Sequence, residues 1–219
     1  MPKAASHKWM FAARFRRHAF GRRSQPAISR IKEAVSEIEK VARHDETLVE
    51  AARRSGTTLD RAFEKFVDAA FTMLGYGTKL LAGKGRVPDG IALAIDDSYA
   101  ILWDAKIRST GYSMGTDDRI IREYITTQSR DLKRRHSLRN NYYLIISSAF
   151  ADDYDDAIQS IKMETHVNEV CLVEAEALVA IVEAKLRAPL QITLGPDGLQ
   201  RLFAFSGVLT AEKVRQFLI

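Results

Sequence analysis

The chain has 219 residues, of which 46% are hydrophobic and 28% are charged, with twelve glycines and five prolines. This composition is typical of a globular protein, and the length allows one large domain or one medium domain with an appendage. The single cysteine, Cys171, excludes a disulfide framework and any multi-cysteine zinc site. No apolar run approaches the roughly 20 residues that span a bilayer. We therefore expect a cytoplasmic protein with no membrane partner.

Positive charge is concentrated near the N-terminus. Residues 1–43 have a net charge of +8, whereas residues 44–219 carry −3. A basic arm on a nearly neutral body predicts a polyanionic partner, although a transit peptide or an anionic membrane surface also fits this composition. Aromatic residues alternate with the arginines, which suits phosphate contacts combined with stacking. The candidate nucleic-acid contacts in this arm are Arg14, Arg16, Arg17, Arg22 and Arg23.

Apolar spacing predicts the elements of the N-terminal half. Pro26 precedes a stripe of apolar residues over 27–43 at steps of three and four, which indicates a helix. Two further helices are predicted over 46–54 and from about 59 to 74. The glycine-rich segment that follows predicts a loop with a short extended piece.

The rest of the chain alternates between strands and helices. Strands over 91–95 and 99–107 are joined by a short polar turn, which predicts a hairpin. Apolar runs at 142–148 and 170–173 are typical of buried central strands. Helices are predicted over 117–136, 152–163, 174–187 and from Leu209 to Leu218. This order predicts an α/β or α+β fold with a mixed central sheet flanked by helices.

Acidic residues and a lysine coincide on the predicted hairpin. Asp104 and Lys106 are two apart on its second strand, so their side chains leave the same face, and Asp89 enters its first strand. Carboxylates bind Mg²⁺ through one or two oxygens and leave positions for water and phosphate. A lysine beside them can orient water or stabilise charge on phosphorus. Glu64, on the preceding helix, is a candidate to complete the shell.

The same pattern has a plainer interpretation. A short P-D…D-x-K string occurs by chance in many chains of this size, and such a strand then carries a surface ion pair worth under about 1 kcal/mol. The context argues against this interpretation. The pattern lies on a predicted hairpin, follows the helix that carries Glu64, and includes the apolar residues Ile101 and Leu102. These indicate that Asp104 enters the core, where an unpaired carboxylate is costly.

The motif strings make the pattern specific. VPDG (87–90) and WDAK (103–106) match the PD-(D/E)xK nuclease signature. Their surroundings resemble the FokI-like cleavage domain of type IIS restriction endonucleases, from DRAFE (60–64) through RSTGYSMG (108–115) to GVLTAEKVRQFL (207–218). The resemblance implies a restriction-endonuclease-like fold over about residues 48–219, preceded by a basic helical arm over 1–47.

The resemblance also implies roles for single residues. Asp89 and Asp104 match the metal ligands, Lys106 matches the catalytic lysine, and Glu64 matches a further acidic residue. The implied cofactor is Mg²⁺, for which Mn²⁺ can substitute. Asp118 and Arg122 stand where the family has a dimerisation pair, although an ordinary i,i+4 ion pair within one helix is the alternative.

The predicted helix over 117–136 ends in basic residues. Lys133, Arg134 and Arg135 suit DNA phosphates, but cations at a helix C-terminus are also favoured by the helix dipole.

Together these features predict a Mg²⁺-dependent, type II (IIS-like) site-specific deoxyribonuclease of the restriction or defence class, which cuts double-stranded DNA as a homodimer. Two alternatives stay open. One is a cleavage subunit that depends on a separate DNA-recognition chain, because the arm contains neither a zinc finger nor a convincing helix-turn-helix and phosphate contacts alone do not specify sequence. The other is a non-catalytic DNA-binding protein on a relict nuclease fold.

Overall fold

A computed structural model describes residues 37–81, 87–114, 118–151 and 154–218. Within these residues a six-stranded sheet has its strands in chain order. The strands are β1 (Gly77–Leu80), β2 (Gly90–Ala94), β3 (Tyr99–Lys106), β4 (Asn140–Ser147), β5 (Glu169–Glu174) and β6 (Gly207–Leu209). The first three strands pair antiparallel, and β3 to β6 pair in parallel. The predicted mixed sheet and its hairpin are confirmed.

Helices connect and cover the strands. They are α1 (Glu46–Arg54), α2 (Leu59–Met73), α3 (Asp118–His136), α4 (Asp155–Glu164), α5 (Ala175–Arg187), α6 (Pro196–Phe203) and α7 (Ala211–Phe217). Polar side chains begin several of them: Asp45 accepts from the first-turn amides of α1, and Thr58 accepts from the amide of Arg61. Among the described residues, no helix is both long and apolar enough to cross a membrane.

The core has two layers, one on each face of the sheet. On β3, Ile101 and Trp103 pack in the layer formed with α1, α2, α5 and α6, whereas Ala100 and Leu102 pack in the layer formed with α3 and α4. Because both faces are covered, β4 is buried at every position after its first and β5 at every position between its two ends. The side chain of Asp104 therefore points toward the layer that contains α3.

The C-terminal end of the predicted arm packs into the core of the predicted domain. Residues 37–42 are helical, and Ile38 and Val41 within them are buried in the layer that contains α2 and α5. Residues 1–36 lie outside the described part of the chain, and with them the candidate DNA contacts Arg14, Arg16, Arg17, Arg22 and Arg23. The division into an arm over 1–47 and a domain over 48–219 stays a prediction.

The tail differs from its prediction. One helix was expected from Leu209 to Leu218, but Leu209 is the last residue of β6, where it pairs with Val173, and the helix begins at Ala211. Thr210 separates the two elements in an extended conformation, and its hydroxyl caps the helix by accepting from the amide of Lys213. The prediction was wrong here because apolar spacing over so few residues does not distinguish a short edge strand from a first helical turn.

The start of β2 lies very close to β3. Gly90 pairs with Trp103, and a Cβ atom at Gly90 would lie 2.2 Å from the Trp103 ring. The buried indole therefore packs directly on the glycine backbone, which only glycine permits. This contact brings the residue before Gly90, Asp89, beside the residue after Trp103, Asp104.

Candidate active site

The structure brings together the three residues of the predicted hairpin site. Lys106 Nζ lies 3.8 Å from Asp104 Oδ1. The backbone amide of Asp89 donates to Asp104 Oδ1 at 3.2 Å, and the amide of Ala105 donates to Asp89 Oδ2 at 2.8 Å. Two carboxylates and an ammonium therefore meet at one end of the hairpin, held in part by main-chain groups that cannot change rotamer.

Two tyrosines complete the surroundings of Asp104. The hydroxyls of Tyr124, on α3, and Tyr143, on β4, both donate to Asp104 Oδ2, and the two hydroxyl oxygens are 3.2 Å apart. Burial, followed by the charge of Asp104, raises the pKa of both hydroxyls, so they stay protonated as donors. Asp104 itself is only 1% exposed.

Sequence reasoning assigned both tyrosines to packing. The available signal was the residue type: a buried tyrosine usually has a hydrogen-bond partner for its hydroxyl, whereas phenylalanine needs none. That signal does not name the partner, because Tyr143 and Asp104 are 39 residues apart in the chain.

The surroundings of Asp89 disfavour its ionised form while Asp104 is charged and no cation is bound. Burial, and then the charge of Asp104, raise the pKa of Asp89 to about 7, while the amide of Ala105 and the charge of Lys106 oppose this shift. The buried carboxylate of Asp104 and the partly buried carboxylate of Asp89 are thus balanced by a single lysine, Lys106. A cation bound between them would remove the repulsion.

The donor set fits a hard divalent cation. The tyrosines hold Oδ2 of Asp104, and the amide of Ala105 holds Oδ2 of Asp89. Among the described residues, Oδ1 of Asp104 accepts only from the amide of Asp89, at 3.2 Å, so the two Oδ1 atoms are the candidate ligands. Mg²⁺ is commonly bound through one or two carboxylates and keeps waters or phosphate at its other positions. No third side chain joins them, because the described residues contain no group of three or more His, Cys, Asp or Glu that could hold a metal.

Glu64 lies near the site but has another partner. Its carboxylate accepts from the guanidinium of Arg61, one turn earlier on α2, and its side chain is 17% exposed. Its charge contributes the smallest of the effects that act on the pKa of Asp89. Its role as a further acidic residue stays a prediction.

The two residues of the predicted dimer interface lie at the start of α3. Asp118 is the first residue of this helix, and its side chain lies outside the described part of the structure. The guanidinium of Arg122 donates to Ser160 Oγ at 2.7 Å and to Glu164 Oε1 at 2.5 Å, both on α4. Arg122 thus joins two helices of one chain, and its part in a dimer stays a prediction.

The predicted basic residues close α3. Lys133 donates to the carbonyl of His166 at 3.1 Å. Arg134 and Arg135 both pair with Asp131, at 2.9 and 3.5 Å, and their side chains are 73% and 66% exposed. These charges are therefore open to solvent, with only local partners among the described residues. Whether they bind DNA stays a prediction.

Comparison with known proteins identifies the family. The family model for the FokI cleavage domain matches residues 25–207. The fold is similar to a structure of the restriction endonuclease FokI (TM-score 0.55, 23% identity, covering 66% of this chain and 27% of that one). It is also similar to FokI bound to DNA (TM-score 0.60, 19% identity, covering 83% of this chain and 33% of that one). This chain thus spans about a third or less of each FokI chain. No curated protein matches it. The chain belongs to the FokI cleavage domain family.

Proposed function

We propose that this chain is a Mg²⁺-dependent DNA endonuclease of the restriction or defence type. The observation that carries the proposal is the meeting of Asp89, Asp104 and Lys106 at the end of the hairpin, in a chain that belongs to the FokI cleavage domain family. Neither part is sufficient alone, since the family does not guarantee an intact site, and a pair of carboxylates has many uses. Together they favour hydrolysis of a phosphodiester bond.

Each residue of the site has a distinct role in the proposal. Asp89 and Asp104 would hold Mg²⁺, or Mn²⁺ in its place. The metal, when bound, would offset charge on the scissile phosphate and make a water molecule more acidic. Lys106 stabilises the negative charge that develops on phosphorus. The oxygen of water bonds to phosphorus and the bond to the 3′ oxygen breaks, so the products carry a 5′-phosphate and a 3′-hydroxyl.

Cutting both strands of a duplex requires two sites, because one site cuts one strand. We propose a homodimer on DNA in which Asp118 and Arg122 contribute to the interface. In a two-fold interface, a pair of opposite charges can cross between subunits twice. An exchange of partner by Arg122, from Glu164 of its own chain to Asp118 of the partner subunit, is the step that this proposal requires.

The DNA partner is supported by charge. Lys133, Arg134 and Arg135 lie nine to eleven residues beyond Tyr124 on α3, which is roughly 14–17 Å along the helix axis at 1.5 Å per residue. This spacing suits phosphates that flank the scissile one. Such contacts position a duplex without specifying its sequence. The basic arm would add contacts of the same kind.

The test is cleavage of a supercoiled plasmid by the purified chain with Mg²⁺ or with EDTA, over a range of protein concentrations. We expect cutting only with the metal, and a rate that rises faster than linearly with protein because the active species is a dimer. Asp104→Asn should abolish cutting and preserve plasmid binding, whereas the same change at Asp60, exposed in the first turn of α2, should have no effect. Unchanged cutting by Asp104→Asn would disprove the site.

A cleavage subunit that depends on a separate DNA-recognition chain is the second candidate. The observation in its favour is that this chain matches only 27% and 33% of the two FokI chains. It predicts that the folded protein binds Mg²⁺ but does not cut plasmid alone. Addition of its recognition partner would then restore cutting, and Asp104→Asn in the reconstituted pair would abolish it again.

A further inference from the structure

We propose that Tyr124 and Tyr143 are positioning residues that orient Asp104 for metal binding. We call the two hydroxyls on Asp104 Oδ2 the tyrosine clamp. The proposal rests on the proposed function, since it treats Asp104 as a metal ligand. It adds that the ligand is aimed by two residues from outside the signature motif, one on α3 and one on β4.

The clamp acts on one oxygen of the carboxylate and leaves the other exposed to the site. Both hydroxyls donate to Oδ2, whereas Oδ1 accepts from the amide of Asp89 at 3.2 Å and lies 3.8 Å from Lys106 Nζ. Without these donors, the plane of the carboxylate could turn about its terminal bond. The two donors therefore hold Oδ1, the candidate ligand, toward Asp89 and Lys106.

The clamp also explains how a carboxylate is tolerated at this position. Asp104 is 1% exposed, and its neighbours in the α3 layer are apolar side chains such as Leu102 and Ile145. A buried carboxylate oxygen without a donor is strongly disfavoured. The nearby main-chain amides are used elsewhere, since the amide of Ala105 donates to Asp89 and the amide of Asp89 donates to Oδ1, so the tyrosines supply the donors to Oδ2. Packing alone would require only phenylalanine at both positions.

A neighbouring tyrosine provides a matched control. Tyr142 precedes Tyr143 on β4 and is likewise buried, but its side chain packs in the opposite layer. Its hydroxyl accepts from Gln200 Nε2 at 3.0 Å and makes no contact with Asp104. Tyr142→Phe thus removes a buried tyrosine hydroxyl from the same strand without touching the clamp.

The experiment measures Mn²⁺ binding to the full chain by isothermal titration calorimetry, for the parent, Tyr124→Phe, Tyr143→Phe, the double variant and Tyr142→Phe. Groups that orient metal ligands typically contribute 10- to 100-fold to affinity. We expect the double variant to lose affinity by about that factor, with smaller losses in each single variant. Tyr142→Phe should bind as the parent does. Cleavage by the clamp variants should recover partly as the Mn²⁺ concentration is raised, since the clamp acts on metal binding.

The outcomes separate this proposal from the proposed function. Clamp variants that melt cooperatively and bind Mn²⁺ as tightly as the parent overturn the clamp, whether or not the parent cuts DNA. A parent that binds Mn²⁺ but cuts no plasmid leaves the affinity losses in support of the clamp and counts against a nuclease that acts without a partner chain. A parent that binds no Mn²⁺ overturns the clamp, because Asp104 then has no ligand to hold. Should the double variant fail to fold, the single variants, which each keep one donor, decide the question.

Discussion

The carboxylate site, which α3 contacts through Tyr124, and the basic C-terminal end of α3 have opposite designs. Asp104 is 1% exposed, and both of its oxygens accept hydrogen bonds from the amide of Asp89 or from tyrosines. Arg134 and Arg135 are 73% and 66% exposed, and both share one partner, Asp131. One region is fixed by many contacts before any ligand arrives, and the other is held by few.

The difference fits the roles that we propose for the two regions. Reaction at one phosphorus atom requires groups that are already oriented, because misplacement by about 1 Å is costly in rate. Attraction of a duplex requires charges that phosphates can reach. We therefore expect large effects from changes at the carboxylate site, and small, salt-dependent effects at the basic end of α3. Four variants, each with a matched control, test this contrast.

The largest effect is expected for Lys106→Ala. Loss of one group that stabilises transition-state charge lowers the rate by about 100- to 1,000-fold. Metal binding should persist, because Asp89 and Asp104 remain. Single-turnover cleavage at saturating Mg²⁺ measures the rate, and calorimetry measures the affinity.

Lys162→Ala is the matched control for Lys106→Ala. Lys162 is 24% exposed against 25% for Lys106, and it also pairs with an acidic residue, Glu169 at 2.6 Å, but it lies on α4 away from the site. Its removal should leave the cleavage rate unchanged. If Lys106→Ala cuts as fast as Lys162→Ala and the parent, Lys106 has no part in the reaction.

The second effect concerns how the free energy of unfolding depends on pH in the absence of metal. The pKa of Asp89 is raised to about 7 in the fold, from 3.8. Both states are protonated below pH 4. Between pH 4 and 7 the unfolded chain loses the proton while the fold retains it, so the free energy of unfolding falls as pH rises. At 1.4 kcal/mol per pKa unit, the part of this loss that falls between pH 5 and pH 8 is about 3 kcal/mol. Asp89→Asn should remove it, which urea unfolding at pH 5 and pH 8 measures.

Asp68→Asn separates this effect from an unrelated buried carboxylate. Asp68, on α2, also has a pKa raised by burial, and its buried Oδ1 has no hydrogen-bond partner in the described part of the chain. Both substitutions should flatten the pH dependence of stability. Addition of Mg²⁺ should stabilise the parent and Asp68→Asn but not Asp89→Asn. Stabilisation of Asp89→Asn by Mg²⁺ would place the metal elsewhere.

The sequence predicts that Asp89, Asp104 and Lys106 lie together, because the contacts that place them are local. Asp104 and Lys106 are two residues apart on one strand, and the hairpin returns Asp89 beside them, so strand alternation and one turn are sufficient to place all three. Helices α1, α2 and α5 were likewise predicted to within about one residue, because caps and apolar stripes are local signals.

The remaining features depend on contacts between distant parts of the chain. Tyr124 and Tyr143 meet Asp104 only because α3 packs on the face of β3 and β4 pairs beside it. Strand β6 exists only because β5 offers it an edge, and for this reason the tail was mistaken for a continuous helix. No periodicity within either segment carries this information.

The third effect concerns the contact that brings the two aspartates together. In Gly90→Ala the new Cβ would lie 2.2 Å from the fully buried indole of Trp103. The strands must separate, at a cost of about 1–3 kcal/mol in the free energy of unfolding, and Asp89 moves with them. We expect a lower urea midpoint and weaker Mn²⁺ binding. Gly77→Ala, on β1, places its Cβ 3.8 Å from the nearest atom and should change neither. Equal effects at both glycines would mean that the indole contact does not position Asp89.

The smallest effect is expected at the basic end of α3. Arg134→Gln combined with Arg135→Gln should weaken plasmid binding in EDTA and make the slope of log affinity against log salt shallower by about 1 to 2. The rate of cutting by bound enzyme should not change.

Arg53 and Arg54 on α1 are the matched control, because the same arrangement of charges occurs there on another helix. They pair with Glu50 at i,i+3 and i,i+4, as Arg134 and Arg135 pair with Asp131, and they are 82% and 81% exposed. The double glutamine variant there changes the net charge equally. If both double variants shift the salt slope alike, DNA responds only to total charge, and α3 has no particular place on the duplex. A shift confined to Arg134 and Arg135 would instead establish that the duplex runs along α3 past the carboxylate site.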